Sequence, residues 1–403
     1  MDDLVQAVET FISRNLGAVS KSAEFLQFGV DDVKAMLKLE SEQDSIDEDK
    51  YRSVVSWTKH DKDRRRKHFS DLFRLIQLEN LSSEFLNDVV HKEELVGSSL
   101  ECTNFIITAT LSRLLGAQVY KKMKGQSDEI LIIGGESCER SVAKFNTKTI
   151  QWSNMLDTNI ARMHPSAVNY NQQILLMGGA EGWDGPYYNS VEMLDLNDEN
   201  PKWDSNLPSM GEKRNVFASA LLDGLVYCAG GYNNDTGYLS SCESYNPEER
   251  KWSSIRNMNI KRTDHALVSA RSLLYALGGW DNENTGNTAE FYDPRNGKWE
   301  YIPPMKTHRS GLAAVVLNNE IYAIGGDGLS SVEKYNLDTE TWLDVPSMNE
   351  ERYGGSACVV DGLIWVFGGE YAETVEFYDP ATNKWQVSTN MDRERPGLCV
   401  LSV

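Results

Sequence analysis

The chain contains 403 residues, of which 40 are basic and 60 are acidic, and its formal net charge is −20 at pH 7. This acidic excess argues against binding to nucleic acid or to an anionic membrane surface, because both need Lys and Arg side chains to pair with phosphates. No apolar run approaches the roughly 18 residues of a membrane-spanning helix, so the sequence predicts a soluble, cytoplasmic protein.

The first 115 residues have the apolar spacing of helices. Apolar side chains recur there at intervals of three and four, beginning with Leu4, Val5, Val8, Phe11 and Ile12. Further helices are predicted over residues 51–60, 64–78, 83–90 and 98–115. We expect an all-α domain over residues 1–115, followed by a linker over residues 116–127.

An internal repeat occupies residues 128–403. Gly-Gly doublets that each end a short apolar run begin at Gly134, Gly178, Gly230, Gly278, Gly325 and Gly368. A tryptophan follows each doublet, at Trp152, Trp203, Trp252, Trp299, Trp342 and Trp385. An aromatic residue precedes five of these tryptophans by seven positions, which predicts two strands joined by a tight turn. In the second repeat Leu194 stands nine positions before Trp203, so its turn is expected to be longer by two residues.

Each repeat contains four predicted strands, and four-stranded units that recur at about 47 residues are typical of a β-propeller. The chain ends with a small-residue strand that no Gly-Gly strand follows, whereas the first repeat begins directly at its Gly-Gly strand. We therefore expect an all-β propeller of six blades over residues 128–403. Its C-terminal strand should complete blade one and leave no free edge at that position.

The placement of the double glycine, the tyrosine and the tryptophan resembles the kelch type of propeller. The helical part resembles the BACK region of the Kelch-like (BTB-BACK-kelch) adaptor family, and the residues that carry this likeness are 11–16, 24–26, 54–66 and 78–86. Family members usually carry a BTB domain before BACK, but here Met1 stands almost at the first BACK helix. The sequence is therefore expected to be either a partial chain or a product without BTB.

The resemblance implies a non-enzymatic adaptor whose propeller holds a target protein for ubiquitination by a cullin-3 ubiquitin ligase. It also implies a cullin contact near the start of BACK, for which Phe25 and Leu26 are the candidates, although a place in the BACK core suits both residues equally. The alternative is a scaffold whose propeller binds actin or another cytoskeletal protein without ubiquitin transfer. No cofactor, metal site or catalytic residue is expected.

The resemblance further implies that a partner binds at the propeller face beside each Gly-Gly doublet and each blade arginine. The first residues past the doublets are Glu136, Ala180, Tyr232, Trp280, Asp327 and Glu370. The residues that follow the arginines are Met163, Asn215, Thr263, Ser310, Tyr353 and Pro396. Residues 125–403 hold 39 acidic and 22 basic side chains, and the loops after the doublets are acidic and rich in aromatic residues. This composition predicts a basic and partly apolar target segment.

The blade arginines follow each tryptophan by ten or eleven positions, at Arg162, Arg214, Arg262, Arg309, Arg352 and Arg395. The resemblance implies that some of them reach the partner, and the candidates are Arg214, Arg262, Arg309 and Arg352. A position that every repeat keeps equally suits a hydrogen-bonding role between blades. The sequence leaves both interpretations open.

Overall fold

The computed structural model describes residue 12, residues 15–38 and 46–73, short segments between residues 75 and 106, and residues 128–403 except 183–184 and 283–285. The chain divides into two compact units, residues 1–124 and 125–403. The predicted linker, most of the helix predicted over residues 98–115 and most of the apolar stretch from Leu4 lie outside the described residues.

The first unit is helical. Its described helices are α1 (Leu16–Val19), α2 (Val30–Leu37), α3 (Ile46–His60), α4 (Lys62–Arg65), α5 (Phe69–Phe73) and α6 (Glu94–Gly97). Single turns of 3-10 helix lie at Phe25–Gln27 and Arg66–His68, and a π-helical turn lies at Leu86–Val90. Tyr51, Val54 and Trp57 recur every three residues along α3 and are buried, so one face of this helix packs into the core of the unit.

The second unit contains six antiparallel four-stranded sheets. Blade one contains β1 (Glu129–Gly134), β2 (Val142–Asn146), β3 (Gln151–Asn154) and β26 (Leu398–Ser402). Blade two contains β4 (Ser166–Tyr170), β5 (Gln173–Met177), β6 (Val191–Asp195) and β7 (Trp203–Asp204). Blade three contains β8 (Ala218–Leu222), β9 (Leu225–Ala229), β12 (Cys242–Asn246) and β13 (Lys251–Ile255), with a hairpin of β10 (Tyr232–Asn233) and β11 (Gly237–Tyr238) between β9 and β12.

Each of the remaining three blades contains four consecutive strands. Blade four contains β14 (Ala266–Ala270), β15 (Leu273–Leu277), β16 (Ala289–Asp293) and β17 (Lys298–Ile302). Blade five contains β18 (Ala313–Leu317), β19 (Glu320–Ile324), β20 (Val332–Asn336) and β21 (Thr341–Val345). Blade six contains β22 (Ser356–Val360), β23 (Leu363–Phe367), β24 (Thr374–Asp379) and β25 (Lys384–Asn390).

The last strand closes the ring, as predicted. Strand β26 pairs with β1 in antiparallel register, with Val400 opposite Ile132 and Leu398 opposite Gly134. Blade one therefore takes its innermost strand from the end of the chain and its other three from the start of the repeat region. The pairing covers the edge of β1 that would otherwise be open.

The recurring tryptophans join neighbouring blades. Tyr245 lies directly opposite Trp252 across the β12–β13 pair, and their rings stand 5.0 Å apart between centroids. Trp299 donates a hydrogen bond from Nε1 to the carbonyl oxygen of Arg256, which follows the outer strand of the blade before it. The spacing of seven residues in the sequence thus sets a cross-strand aromatic pair, and the indole packs one blade against the previous one.

The Gly-Gly doublets lie in close contact with the neighbouring blade. Gly278 and Gly279 have φ values of +65° and +97°, and the amide of Gly279 donates to the carbonyl oxygen of Arg309 at 2.8 Å. A Cβ atom on Gly278 would stand 2.5 Å from that same oxygen. The doublet therefore provides both the backbone conformation and the space for the next blade.

Candidate partner-binding face

The blade arginines are anchored inside the propeller. Arg262 donates from Nε to Glu290 at 3.1 Å and from Nη1 to the carbonyl oxygen of Gly278 at 2.6 Å. Glu290 also accepts the backbone amide of Asn259, which lies in the connection from the preceding blade. The ion pair recurs as Arg162–Glu192, Arg214–Glu243, Arg309–Glu333 and Arg352–Glu376. Each pair fastens the connection between two blades to the second of them.

This burial corrects the assignment of four arginines to the partner surface. Arg214, Arg262 and Arg309 are 0% exposed and Arg352 is 2% exposed, so their guanidinium groups meet no partner on the outside. Burial lowers the pKa of Arg262, while the charge and the hydrogen bond of Glu290 oppose that effect. The sequence held a signal for the partner carboxylates, because five of the six repeats have a glutamate in their third strand, two positions before the recurring tyrosine or Leu194.

The two predicted rows of site residues meet in pairs. In blade three the backbones of Asn215 and Tyr232 exchange two hydrogen bonds, of 3.0 and 2.9 Å, and in blade four Thr263 and Trp280 do the same at 3.0 and 2.8 Å. Met163 and Ala180 also exchange two backbone bonds, and in the other three pairs the amides of Asp327, Glu370 and Glu136 donate to the carbonyl oxygens of Ser310, Tyr353 and Pro396. All six pairs extend the two inner strands of a blade at the same end. We call this end of the propeller the doublet face.

The side chains of the doublet face differ in exposure. Trp280 is 46% exposed and Asp327 is also exposed, whereas Glu136, Tyr232, Ser310, Tyr353 and Glu370 are partly exposed. Asn215 and Thr263 are buried, so in these two pairs the backbone and the opposite residue form the surface. Tyr187 and Tyr238 pack edge-on against the ring of Tyr232, at centroid distances of 5.9 and 5.4 Å. In the loops that follow two of the doublets, Trp183, Asp184 and Glu283 lie outside the described residues.

A ring of backbone hydrogen bonds surrounds the mouth of the central channel. Its members stand two positions after each blade arginine and are His164, Val216, Asp264, Gly311, Gly354 and Gly397. All six have positive φ, between +48° and +71°. Each amide from Val216 to Gly397 donates to the carbonyl oxygen of the member before it, at 2.8–3.4 Å. The sequence prediction missed this ring, although glycine at three of the six positions was a signal for it.

Two titratable members of the ring line the channel. The Oδ1 atom of Asp264 accepts a hydrogen bond of 3.3 Å from the hydroxyl of Tyr353, and Oδ2 accepts one of 3.4 Å from Thr263. Burial raises the pKa of the Asp264 carboxyl, while the charge of His164 and these hydrogen bonds oppose that rise. The Nε2 atom of His164 lies 3.3 Å from a carboxylate oxygen of Glu136.

In the helical unit the two candidate cullin contacts, Phe25 and Leu26, differ in burial. Phe25 is 1% exposed and belongs to the core, which corrects its assignment as a contact residue, because its side chain offers no surface. Leu26 is partly buried against the same core, and its carbonyl oxygen accepts a hydrogen bond of 2.9 Å from Arg65.

Within the described residues, no group of three or more His, Cys, Asp and Glu side chains is arranged to hold a metal ion. His164 and His265 both line the channel, and His308 is exposed. None of the helices in the described part of the chain is long and apolar enough to cross a membrane.

The closed six-bladed ring, its glycine doublets and its arginine–glutamate pairs define a kelch-repeat propeller, and a helical unit of BACK type precedes it. The KLHDC2/KLHL20/DRC7 Kelch-repeats domain family matches residues 123–326, the BACK family (BTB And C-terminal Kelch) matches residues 1–91, and the Kelch motif matches residues 308–349 and 351–392. The chain belongs to the Kelch-like family.

Individual relatives are distant. Kelch-like protein 7 of Rattus norvegicus is 24% identical over 336 residues, which cover 69% of this chain and 56% of the relative. Kelch-like protein 41 of Mus musculus is 25% identical over 310 residues, which cover 68% of this chain and 50% of the relative. The chain thus spans about half the length of these curated relatives. The solved structure of YjhT has a TM-score of 0.52 and 16% identity, covers 59% of this chain and 87% of its own, and shares the fold.

Proposed function

We propose that this protein is a substrate-recognition adaptor of a cullin-3 ubiquitin ligase, and that the doublet face binds the target protein. The observation that carries the recognition part is the pairing of the two rows of residues. Each blade presents one such pair at the same end of the ring, so the six pairs offer a single surface on a rigid scaffold.

The chemistry of this face supports a basic and partly apolar target segment. Asp327, Glu136 and Glu370 place carboxylates around it, and Trp280 exposes nearly half of its surface there. Aromatic side chains anchor protein interfaces because they bury a large area at a small entropic cost, and complementary charge accelerates association.

The cullin part of the proposal is supported by the BACK region and by the membership of the Kelch-like family. Phe25 packs in the core, so Leu26 and its exposed neighbours are the residues proposed to meet the cullin. A chain that carries a BTB domain ahead of this sequence is the appropriate comparison, because BTB supplies most of the cullin contact in the family.

The recognition part is tested by affinity capture from cell lysate with the full chain and with its Trp280→Ala variant. The matched control is Tyr301→Ala, which removes an aromatic side chain that is 57% exposed on the outer strand of the same blade. We expect Trp280→Ala to lose the captured target and Tyr301→Ala to retain it. Equal capture by both variants would contradict the proposed face.

The ligase part is tested separately, by capture of purified cullin-3 with this chain and with a version that carries a BTB domain. We expect the BTB-containing version to retain cullin-3 and to support ubiquitination of the captured target. Co-sedimentation with actin filaments, without cullin binding by either version, would instead identify the cytoskeletal scaffold.

A further inference from the structure

The mouth of the central channel contains an acidic residue, Asp264, that is not one of the paired residues of the doublet face. Asp264 lines a cavity of about 290 Å³ enclosed by the six innermost strands, and it is the one acidic residue in the described lining. The rest of the lining is formed by His164, His265 and small or apolar residues, which include three serines. Apart from Asp264 and the two histidines, the described channel lining therefore contains no acidic or basic side chain.

The backbone of Asp264 adopts an unfavourable conformation that places its side chain at the channel mouth. Its φ of +53° is in the left-handed region, which three other ring members enter as glycine. A non-glycine residue in this region is strained relative to glycine. Glycine at the neighbouring ring position, Gly311, makes room for Tyr353, since a side chain at 311 would collide with that ring. The hydroxyl of Tyr353 thereby reaches Asp264 and orients its carboxylate.

The partners of Asp264 within the protein compensate its charge only in part. Tyr353 and Thr263 donate hydrogen bonds but carry no positive charge, and no Lys or Arg side chain in the described part of the chain is paired with the Asp264 carboxylate. His164 is the nearest source of positive charge, but its imidazole lies against Glu136. Asp264 is partly buried, and a partly buried carboxylate without a Lys or Arg partner is stabilised by an incoming cation.

The surroundings of the mouth add to the negative field. Besides burial, the charges of Asp264, Asp327 and Glu370 all raise the pKa of Tyr353, so these three carboxylates act on one point of the mouth. A cleft lined by charge of one sign, with low-dielectric walls, concentrates counter-ions. The cavity volume is at the lower limit of small-molecule pockets, so the channel has room for one side chain rather than for a complete ligand.

We infer that the channel mouth is a specificity pocket for one basic side chain of the target protein, and that Asp264 is the residue that pairs with its guanidinium or ammonium group. This inference rests on the proposed function, because the target must first lie on the doublet face. Tyr353 acts as a positioning residue for the carboxylate. Trp280 and the other side chains of the face then contact residues on either side of the inserted one.

The test uses peptides selected from a random dodecapeptide display library on the full chain. Each peptide is measured against the wild type, Asp264→Asn, Trp280→Ala and the control Glu249→Gln, which changes an exposed residue in the β12–β13 turn at the opposite end of the blade. Asparagine keeps the shape and the acceptor for Tyr353 but removes the charge. Peptides in which citrulline replaces arginine, or norleucine replaces lysine, remove the partner charge at one position at a time.

We expect Asp264→Asn to weaken peptides with the basic residue by about tenfold or more and to leave the neutral counterparts unchanged, as for one buried charged hydrogen bond. The arginine and lysine series identify which cation the pocket prefers. If Trp280→Ala weakens peptide binding but Asp264→Asn affects basic and neutral peptides equally, this inference is overturned and the proposed face is retained. Selected peptides that are insensitive to Trp280→Ala would overturn both.

Discussion

The Nε atom of Arg262 lies 3.1 Å from a carboxylate oxygen of Glu290, and neither side chain has any surface exposed to solvent. The pair connects the segment that enters blade four to the third strand of that blade. Because five blades contain such a pair, the regular geometry of the doublet face depends on a set of charges that no partner touches. The surface proposed to bind the target is thus held in place by buried ion pairs.

Removal of one member of this pair is expected to be strongly destabilising. Arg262→Ala leaves the Glu290 carboxylate buried without its cation, and such a change costs about 3–5 kcal/mol of folding free energy. Arg295→Ala is the control, because Arg295 pairs with Asp293 on the surface, where an ion pair contributes little to stability. Denaturant unfolding followed by tryptophan fluorescence measures both changes. Similar losses in the two variants would contradict the structural role of the pair.

The junction that closes the ring lacks this arrangement. The position of the glutamate is taken by Ala143 in blade one, and Arg395 instead bonds to Asp392 at 2.9 Å and to the hydroxyl of Ser141 at 3.4 Å. Asp392 is largely exposed, so Arg395 has a weaker partner than the other arginines. This is the junction at which the two ends of the propeller meet.

Ala143→Glu should therefore strengthen the closure by about 1 kcal/mol, the usual size of a stabilising substitution. A double-mutant cycle with Arg395→Lys isolates the new interaction, since lysine cannot reproduce the guanidinium geometry. We expect the gain from Ala143→Glu to disappear in the Arg395→Lys background. A gain of the same size in both backgrounds would show that the glutamate acts elsewhere.

The propeller was predictable because its sequence signals are local and repeated. The seven-residue spacing from Tyr245 to Trp252 fixes a cross-strand pair, and the same spacing in four other blades fixes the register of their outer strands. The closure by β26 followed from the strand count alone. The helical unit was predictable only in outline, because short helices such as α4 and α5 join at 3-10 turns that apolar spacing does not reveal.

The site was less predictable because its determinants are far apart in sequence. Arg262 reaches Glu290 across 28 positions, and Asp264 receives Tyr353 across 89. The left-handed conformation of Asp264 follows from the hydrogen-bonded ring and not from its own preference. By contrast, the pairing of Thr263 with Trp280 brought together two rows that the sequence had identified separately.

The Gly-Gly doublets offer a test of blade contact that separates conformation from space. Gly278 and Gly224 both have positive φ, at +65° and +81°, but only a Cβ atom on Gly278 would collide with the next blade. Gly224→Ala should cost about 1–2 kcal/mol from conformation alone. Gly278→Ala should cost about 1–3 kcal/mol more, from overpacking. Equal thermal midpoints of the two variants would show that the blades tolerate the added methyl group.

The last prediction concerns pH and rests on His265. This histidine is buried in the channel wall, and neither ring nitrogen has a hydrogen-bond partner among the described residues. Burial, together with the charges of Arg262 and Arg214, lowers the pKa of His265 from 6.5 to about 3. Between these two values the imidazole of His265 is protonated in the unfolded chain and neutral in the folded propeller. The free energy of unfolding therefore falls as the pH falls through this window, by about 1.4 kcal/mol per pH unit.

His265→Gln should remove this contribution, because glutamine does not titrate. We expect the wild type to lose about 2 kcal/mol more stability than the variant between pH 6.5 and pH 5, while carboxylates contribute equally to both. His308→Gln is the control, since His308 is exposed and its loss leaves the buried group unchanged. Of the 10 tryptophans only Trp57 precedes the propeller, so fluorescence-detected urea unfolding reports mainly on the blades. Parallel pH profiles for the wild type and His265→Gln would contradict a neutral buried His265.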